Sequence, residues 1–152
     1  MKGIFGLVVA LASLTACAQT TTVEESAPFE VLVDGNCSST KSRLVQEHIS
    51  GQITALAKED WESAYSFAAP GFQESVGLDQ FIFVITSQYQ MLISNDSVAY
   101  GACNIADKEI RQKVSVTSQS EVYELSYSLS VTSEKLGIES ASVAISEPQT
   151  NI

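Results

Sequence analysis

The chain has 152 residues, with 18 acidic against 8 basic side chains and a formal net charge of −10. A surplus of that sign leaves no electrostatic footprint for nucleic acid and repels anionic lipid head groups, so charge-driven binding to either is excluded. The length suits one domain with a single hydrophobic core.

The chain opens with Lys2 and an apolar run from Ile4 to Ala12, broken by Gly6. This has the form of an export signal and is too short to span a bilayer as a mature helix. The run ends in Leu14-Thr15-Ala16-Cys17, which resembles the bacterial lipoprotein box of an aliphatic residue, two small residues and cysteine. The resemblance implies cleavage of residues 1–16, a thioether-linked diacylglycerol on Cys17 and an acylated amine. Several chains anchor firmly, because each buried methylene adds roughly 0.8 kcal/mol. An ordinary signal cut nearby, with Cys17 incidental, is the plainer alternative. Ala18, in place of aspartate, implies the outer membrane, so the expected location is the bacterial cell envelope, lipid-anchored and facing the periplasm. Cleavage would remove Lys2 and no acid, shifting the net charge from −10 to −11.

Residues 17–36 form the lipidated cysteine and a tether, since Gln19 to Ala27 is rich in threonine and glutamate and has no hydrophobic period. Phe29 to Val33 makes a short strand or lies across the domain surface. The folded domain is expected over 37–146, with a polar tail over 147–152.

A first helix is expected from Lys41 to Lys58, capped by Thr40 or Ser42. Val45, Ile49, Ile53 and Leu56 form its inner seam, with Leu44 beside it and His48 on the flank. Asp60 caps a second helix, in which Trp61, Ala64, Tyr65 and Ala68 share one stripe and which Pro70-Gly71 ends. The short link predicts an antiparallel pair. Asp79 caps a third helix to about Met91, with Phe81, Ile82, Ile85, Tyr89 and Leu92 at helical spacing.

After Asn95 the period becomes two. Val98, Tyr100 and Ala102 alternate, followed by a turn over 104–108. Ile110, Val114 and Val116 alternate, followed by a turn over 118–120. Tyr123, Leu125, Tyr127, Leu129 and Val131 then face one way, and Glu124, Ser126, Ser128 and Ser130 the other, as in a strand with one wet face. A turn over 134–137 precedes a strand carrying Ala141, Val143 and Ile145. The expected fold is α+β, with three N-terminal helices on one face of a four-stranded antiparallel sheet.

With Cys17 lipidated, Cys37 and Cys103 remain. They are either a disulfide closing a long loop or two buried thiols. Two distant cysteines and a single histidine do not make a zinc site, and no metal or other cofactor is expected.

From Ile49 to Gly101 the chain resembles a bacterial family, domain of unknown function 4864. The resemblance rests on Ile49, Gln52, Ile53, Ala55 and Leu56, and most specifically on the run Asp-Trp-x-x-Ala-Tyr-x-Phe-Ala-Ala-Pro from Asp60 to Pro70. Gln73, Phe81, Val84, Tyr89 and Ser97 to Gly101 continue it. It implies an NTF2-like, cystatin-like cone, in which helices close over a curved sheet, and it implies no function. The second half lacks the late tryptophan and the glycine-cysteine pair common in that family.

Such a cone could hold an acid-base group, and His48, Asp60, Asp79 and Asp96 are the ionisable candidates. A rim histidine and helix-capping aspartates explain them as well. Trp61, Tyr65, Tyr123 and Tyr127 could line a pocket with His48, or fill a core in which the hydroxyls find partners. No nucleophile elbow or phosphate loop occurs, and no catalytic residue is assigned. The leading expectation is a non-enzymatic envelope lipoprotein, a tethered binding or interaction module whose protein partner or ligand is unknown. The alternative is a small-molecule binder or enzyme using the cone pocket. A homodimer through the open sheet face is a third reading, against which the Ser126-Ser128-Ser130 row argues for a wet contact only.

Overall fold

The computed structural model describes residues 27–144. The expected leader, Cys17, the first half of the tether, Ile145 and the tail lie outside the described residues. The order is β1 (Gly35–Asn36), α1 (Ser39–Ala57), α2 (Trp61–Ser66), α3 (Pro70–Ser75), α4 (Leu78–Gln88), α5 (Gln90–Ile93), β2 (Ser97–Ala106), β3 (Glu109–Ser118), β4 (Glu121–Thr132) and β5 (Lys135–Val143). The class is α+β, and all five strands form one antiparallel sheet in the order β1-β2-β3-β4-β5. Five helical segments stand where three helices were expected, and the two-residue β1 is the unforeseen strand.

The helix boundaries differ for local reasons. Ser38 caps α1, accepting the Lys41 N–H at 3.3 Å, so α1 begins two residues earlier than expected. Asp60 caps α2 through the Ser63 N–H. Pro70 does not end that helix. α2 stops at Ser66, and Pro70 opens α3, because its missing N–H would be unpaired in a first turn anyway. Gly77 precedes α4, and Asp79 sits inside its first turn, where a carboxylate still favours the helix dipole. A break at Tyr89 (φ −124°, ψ 35°) separates α4 from α5.

Val45, Ile49, Gln52, Ile53 and Leu56 of α1 are buried against the inner sheet face. That face carries Cys103, Ile105, Ile110, Val114, Val116, Leu125, Tyr127, Leu129 and Ile138. On β4 the alternation buries Leu125, Tyr127 and Leu129, while Tyr123 and Val131 are only half-buried. The expected alternation on β2 fails at Ala102, which is exposed. A bulge between Tyr100 and Cys103 shifts the register and turns Cys103 and Ile105 inward instead. The buried Gln112 amide fills that bulge, donating to the carbonyls of Gly101 (3.0 Å), Ala102 (3.4 Å) and Lys113 (2.8 Å). Phe29 is buried while Val31 and Val33 are exposed, so the 27–34 segment lies across the surface, where Lys41 Nζ donates to the Val31 carbonyl.

Cys37 and Cys103 are bonded as a disulfide, and the Cys37 N–H donates to the Cys103 carbonyl at 2.9 Å. At the other edge, Ala68 makes a parallel bridge to Ile138. The Ala69 N–H donates to Ile138 O and the Ile138 N–H to Phe67 O, each at 2.9 Å. The loop between α2 and α3 thereby covers the middle of edge strand β5.

Three tight two-residue turns join β2 to β5. All six turn residues are non-glycine with positive φ: Asp107 and Lys108 (52° and 65°), Gln119 and Ser120 (51° and 67°), Ser133 and Glu134 (49° and 63°). That backbone matches the strand twist but costs a side chain on the order of 1 kcal/mol per residue. Replacing Gln119-Ser120 by Asn-Gly is expected to stabilise the fold by about 1–2 kcal/mol, read from urea denaturation. The backbone bond from the Gln119 N–H to Asp96 Oδ2 (3.0 Å) survives the change. An unchanged or lower midpoint would show that these turns are not strained.

Candidate functional site

A cavity of about 210 Å³ lies between the sheet and the α3–α4–α5 layer. Its roof is Phe72 and Val76 around α3 and Phe81, Val84 and Ile85 of α4, continued by Tyr89 and Leu92. Its floor is Tyr127 of β4 with Ile138 and Ala141 of β5. Gln52 closes one side, its amide donating to the Ala64 carbonyl at 3.3 Å. Exposed Gln80 and Ser140 mark the mouth, and buried Gln52, Leu92 and Tyr127 the interior end.

The elements around the cavity are held by tyrosine hydroxyls. Tyr65 Oη donates to the carbonyls of Gln73 (3.2 Å) and Val76 (2.6 Å), and the Gln73 side-chain amide returns to the carbonyls of Tyr65 (3.0 Å) and Ala68 (3.3 Å). This pair fastens α3, which buries no residue of its own. Tyr89, at the α4–α5 break, donates its hydroxyl to the Ala141 carbonyl at 2.6 Å and pins that break to β5.

Tyr127 differs from both. It is fully buried and forms cavity wall, yet its hydroxyl has no hydrogen-bond partner. Burial, then the neighbouring Tyr100 and Tyr89, push its ionisation far upward, so it keeps its proton. A neutral hydroxyl shut away from water without a partner is costly. Its cross-strand neighbour Gln112 leaves its own carbonyl oxygen unpaired as well. Among the cavity-lining residues the only carboxylate is Glu139, which accepts from Ser130 Oγ at 2.6 Å, and no lysine, arginine or histidine is present.

The other expected pocket residues lie elsewhere. Trp61 is half-buried at the rim of the core, outside the cavity wall. Tyr65 acts from behind the wall, through α3. Tyr123 turns its hydroxyl to Glu121 on the exposed side at 2.6 Å, and that bond raises its ionisation. His48 borders a separate shallow depression with Phe29, Leu44, Phe67 and Leu136. Asp60 caps α2 and Asp96 accepts from a turn, so neither reaches the cavity. Among the described residues no group of three His, Cys, Asp or Glu side chains could hold a metal ion. Sequence reasoning missed Phe72, Val76, Val84 and Ile138 as wall. Their only signal was apolar character: Phe72 lies in the unforeseen α3 and Val76 caps its end, while Val84 of α4 and Ile138 of β5 lie outside the stripes read from periodicity.

His48 carries its own consequence. Its Nε2 lies 3.0 Å from the Phe67 carbonyl, so Nε2 bears the proton and donates, and the ring meets Phe67 edge-on. Burial lowers its ionisation below the ordinary 6.5, outweighing the Phe67 carbonyl, which raises it. A histidine with a depressed folded value stabilises the fold above its unfolded value and loses that contribution as pH falls through the folded one. Unfolding free energy should therefore decline between about pH 7 and pH 5. His48→Gln should flatten that slope in urea titrations across the window. An equal slope in the variant would assign the dependence to other groups.

A family model described as Domain of unknown function (DUF4864) matches residues 38–150. No curated protein matches the sequence.

Proposed function

The chain belongs to the DUF4864 family, and from that premise we propose that it is a non-enzymatic binding module of the bacterial envelope, carrying a small apolar ligand in the cavity beneath α3 and α4. The observation that carries this reading is an apolar cavity of about 210 Å³ walled by Phe72, Phe81, Ile85, Tyr127, Ile138 and Ala141. Such a space, with few polar groups among apolar and aromatic walls, has the make-up of small-molecule sites. The cavity's acid-base inventory is Glu139 and tyrosines, and no nucleophile–base pair stands across it.

The NTF2-like, cystatin-like cone belongs to the same proposal. It is supported by helices laid over one face of an antiparallel sheet with a cavity between the layers. Attachment through lipidated Cys17, at the outer membrane and facing the periplasm, is supported by the Lys2-to-Cys17 pattern. The Cys37–Cys103 bond suits an oxidising compartment. No helix among the described residues is long and apolar enough to cross a membrane.

Native mass spectrometry of the protein extracted from its host membranes tests both parts. The expected result is a chain beginning at Cys17, carrying acyl mass, with a further small-molecule mass lost on gentle activation. An acylated chain with no releasable mass would count against the ligand. An unacylated chain would remove the anchor.

A further inference from the structure

Resting on the reading of this cavity as a binding site, we propose that α3 is its lid: a six-residue segment that swings outward as a unit to admit the ligand, and that the bound ligand holds shut. Three observations on this part of the roof carry the proposal.

The first is what α3 rests on. Among the helices of the roof, α4 and α5 reach the core through buried Phe81, Ile85 and Leu92, whereas α3 buries no residue. Its larger apolar side chains are Phe72, edge-on to Phe81 with centroids 6.3 Å apart, and Val76 at its C-cap. Both are half-buried, and both line the cavity. Where a side chain borders a void it lacks the dispersion contacts that a packed neighbour supplies. Closing α3 over an empty cavity therefore gains little, and closing it over a ligand gains those contacts. Occupancy and closure are linked in that way.

The second is how α3 is fastened. Tyr65 Oη shares its one proton between the carbonyls of Val76 (2.6 Å) and Gln73 (3.2 Å), and the Gln73 amide reaches those of Tyr65 (3.0 Å) and Ala68 (3.3 Å). All four acceptors are main-chain carbonyls around the ends of α2 and α3, which water can serve once α3 lifts. Opening thus exchanges these bonds for bonds to water. The third is where α3 can turn. The Ala69 N–H is held to Ile138 O, and the Phe81 N–H to Gly77 O, each at 2.9 Å, so both flanks are fixed. Between them, Ala69 (φ −64°, ψ 151°), Val76 (φ −127°, ψ 110°) and Gly77 (φ −73°, ψ 164°) are extended. α3 hangs between two non-helical joints, and element-terminal residues of that kind absorb the rotation of a hinge. Val76 stands four residues before Gln80 at the mouth, so lifting α3 widens that opening.

Hydrogen exchange and benzene titration, both followed by NMR on the full chain with its disulfide formed, test the lid. Benzene is the probe because an engineered apolar cavity of about 150 Å³ in another protein takes it up. The Gln73 and Val76 amides, bonded to Ala69 O and Phe72 O, should exchange faster than those of buried Ile53 in α1 and Tyr127 in β4. Benzene at about ten times its dissociation constant should slow the two α3 amides about tenfold. Tyr65→Phe and Gln73→Met each remove part of the fastening, and neither side chain lines the cavity. Each should speed α3 exchange about three- to tenfold, the span of one net hydrogen bond. Benzene dissociation, read from line shapes, should quicken by the same factor. Exchange of the α3 amides as slow as that of Ile53 and Tyr127 would overturn the lid while leaving the cavity a binding site. So would faster α3 exchange with an unchanged benzene dissociation rate. Failure of benzene to shift the resonances of cavity residues would overturn the binding-site reading, and the lid with it. If Tyr65→Phe does not fold, Gln73→Met and the native chain decide.

Discussion

Gly137→Ala is expected to destabilise the fold by about 3–5 kcal/mol, the sum of roughly 1 kcal/mol for each of two backbone hydrogen bonds and about 1–3 kcal/mol of overpacking. A Cβ built on Gly137 would lie 2.5 Å from Ala69 Cα, 2.7 Å from its Cβ and 3.0 Å from its nitrogen. Those are mainly backbone atoms, held by the bonds between Ala69 and Ile138 and between Ile138 and Phe67. They cannot retreat without opening the parallel bridge at Ala68. Ala68 and Ile138 are cavity wall, so the same change should also loosen the site. Gly71→Ala is the control, because a Cβ there meets nothing within 4 Å. Urea denaturation of both variants decides the point. A Gly137→Ala midpoint equal to that of the parent would show that α3 moves aside freely.

Loss of the Cys37–Cys103 bond is the other large effect. The bond spans a sequence separation of 66, and closing a loop of that length in the unfolded chain is worth about 4 kcal/mol. That is a large share of the roughly 5–15 kcal/mol that holds a domain of this kind together. Little else holds the segment it secures. β1 has two residue pairs with β2, Gly35 with Ile105 and Asn36 with Asn104. Reduction, or the double change Cys37→Ser with Cys103→Ser, should therefore lower stability by that amount and release Phe29 from the core edge. Denaturation with and without a phosphine reductant measures it, and the double variant should be blind to the reductant. A parent midpoint that ignores reductant would mean that the bond contributes nothing.

What the sequence reveals here is the part written in periodicity. Leu125, Tyr127 and Leu129 alternate with Ser126 and Ser128, and they are buried as that alternation requires. Val45, Ile49, Ile53 and Leu56 likewise mark the inner seam of α1. The turns are harder, because Asp107-Lys108, Gln119-Ser120 and Ser133-Glu134 reach left-handed geometry with no glycine. Reading them from composition misplaces their ends by one to three residues. Bulges leave no mark at all, and the one in β2 reverses the facing of Ala102 and Cys103. Trp61 draws attention by being the only tryptophan, but its place at the core rim follows from the shortness of α2. The cavity is the least legible feature. Its walls join Gln52, Phe72, Val84, Tyr127 and Ala141, which only the folded chain brings together. Tyr127 could be named among pocket residues, but a hydroxyl without a partner is a property of its neighbours.

The sulfur bridge also sets how the molecule answers to force. Tension between the two chain ends enters through Cys37 and leaves through Cys103, bypassing everything in between. Residues 38–102 would otherwise pay out about 220 Å of extended chain, at roughly 3.4 Å per residue. With the bond intact that length is locked. The locked span contains all five helices, and so the whole roof of the cavity, whereas β3, β4 and β5 lie beyond it. Under load the sheet is the extensible half of the protein and the helical layer the inextensible one.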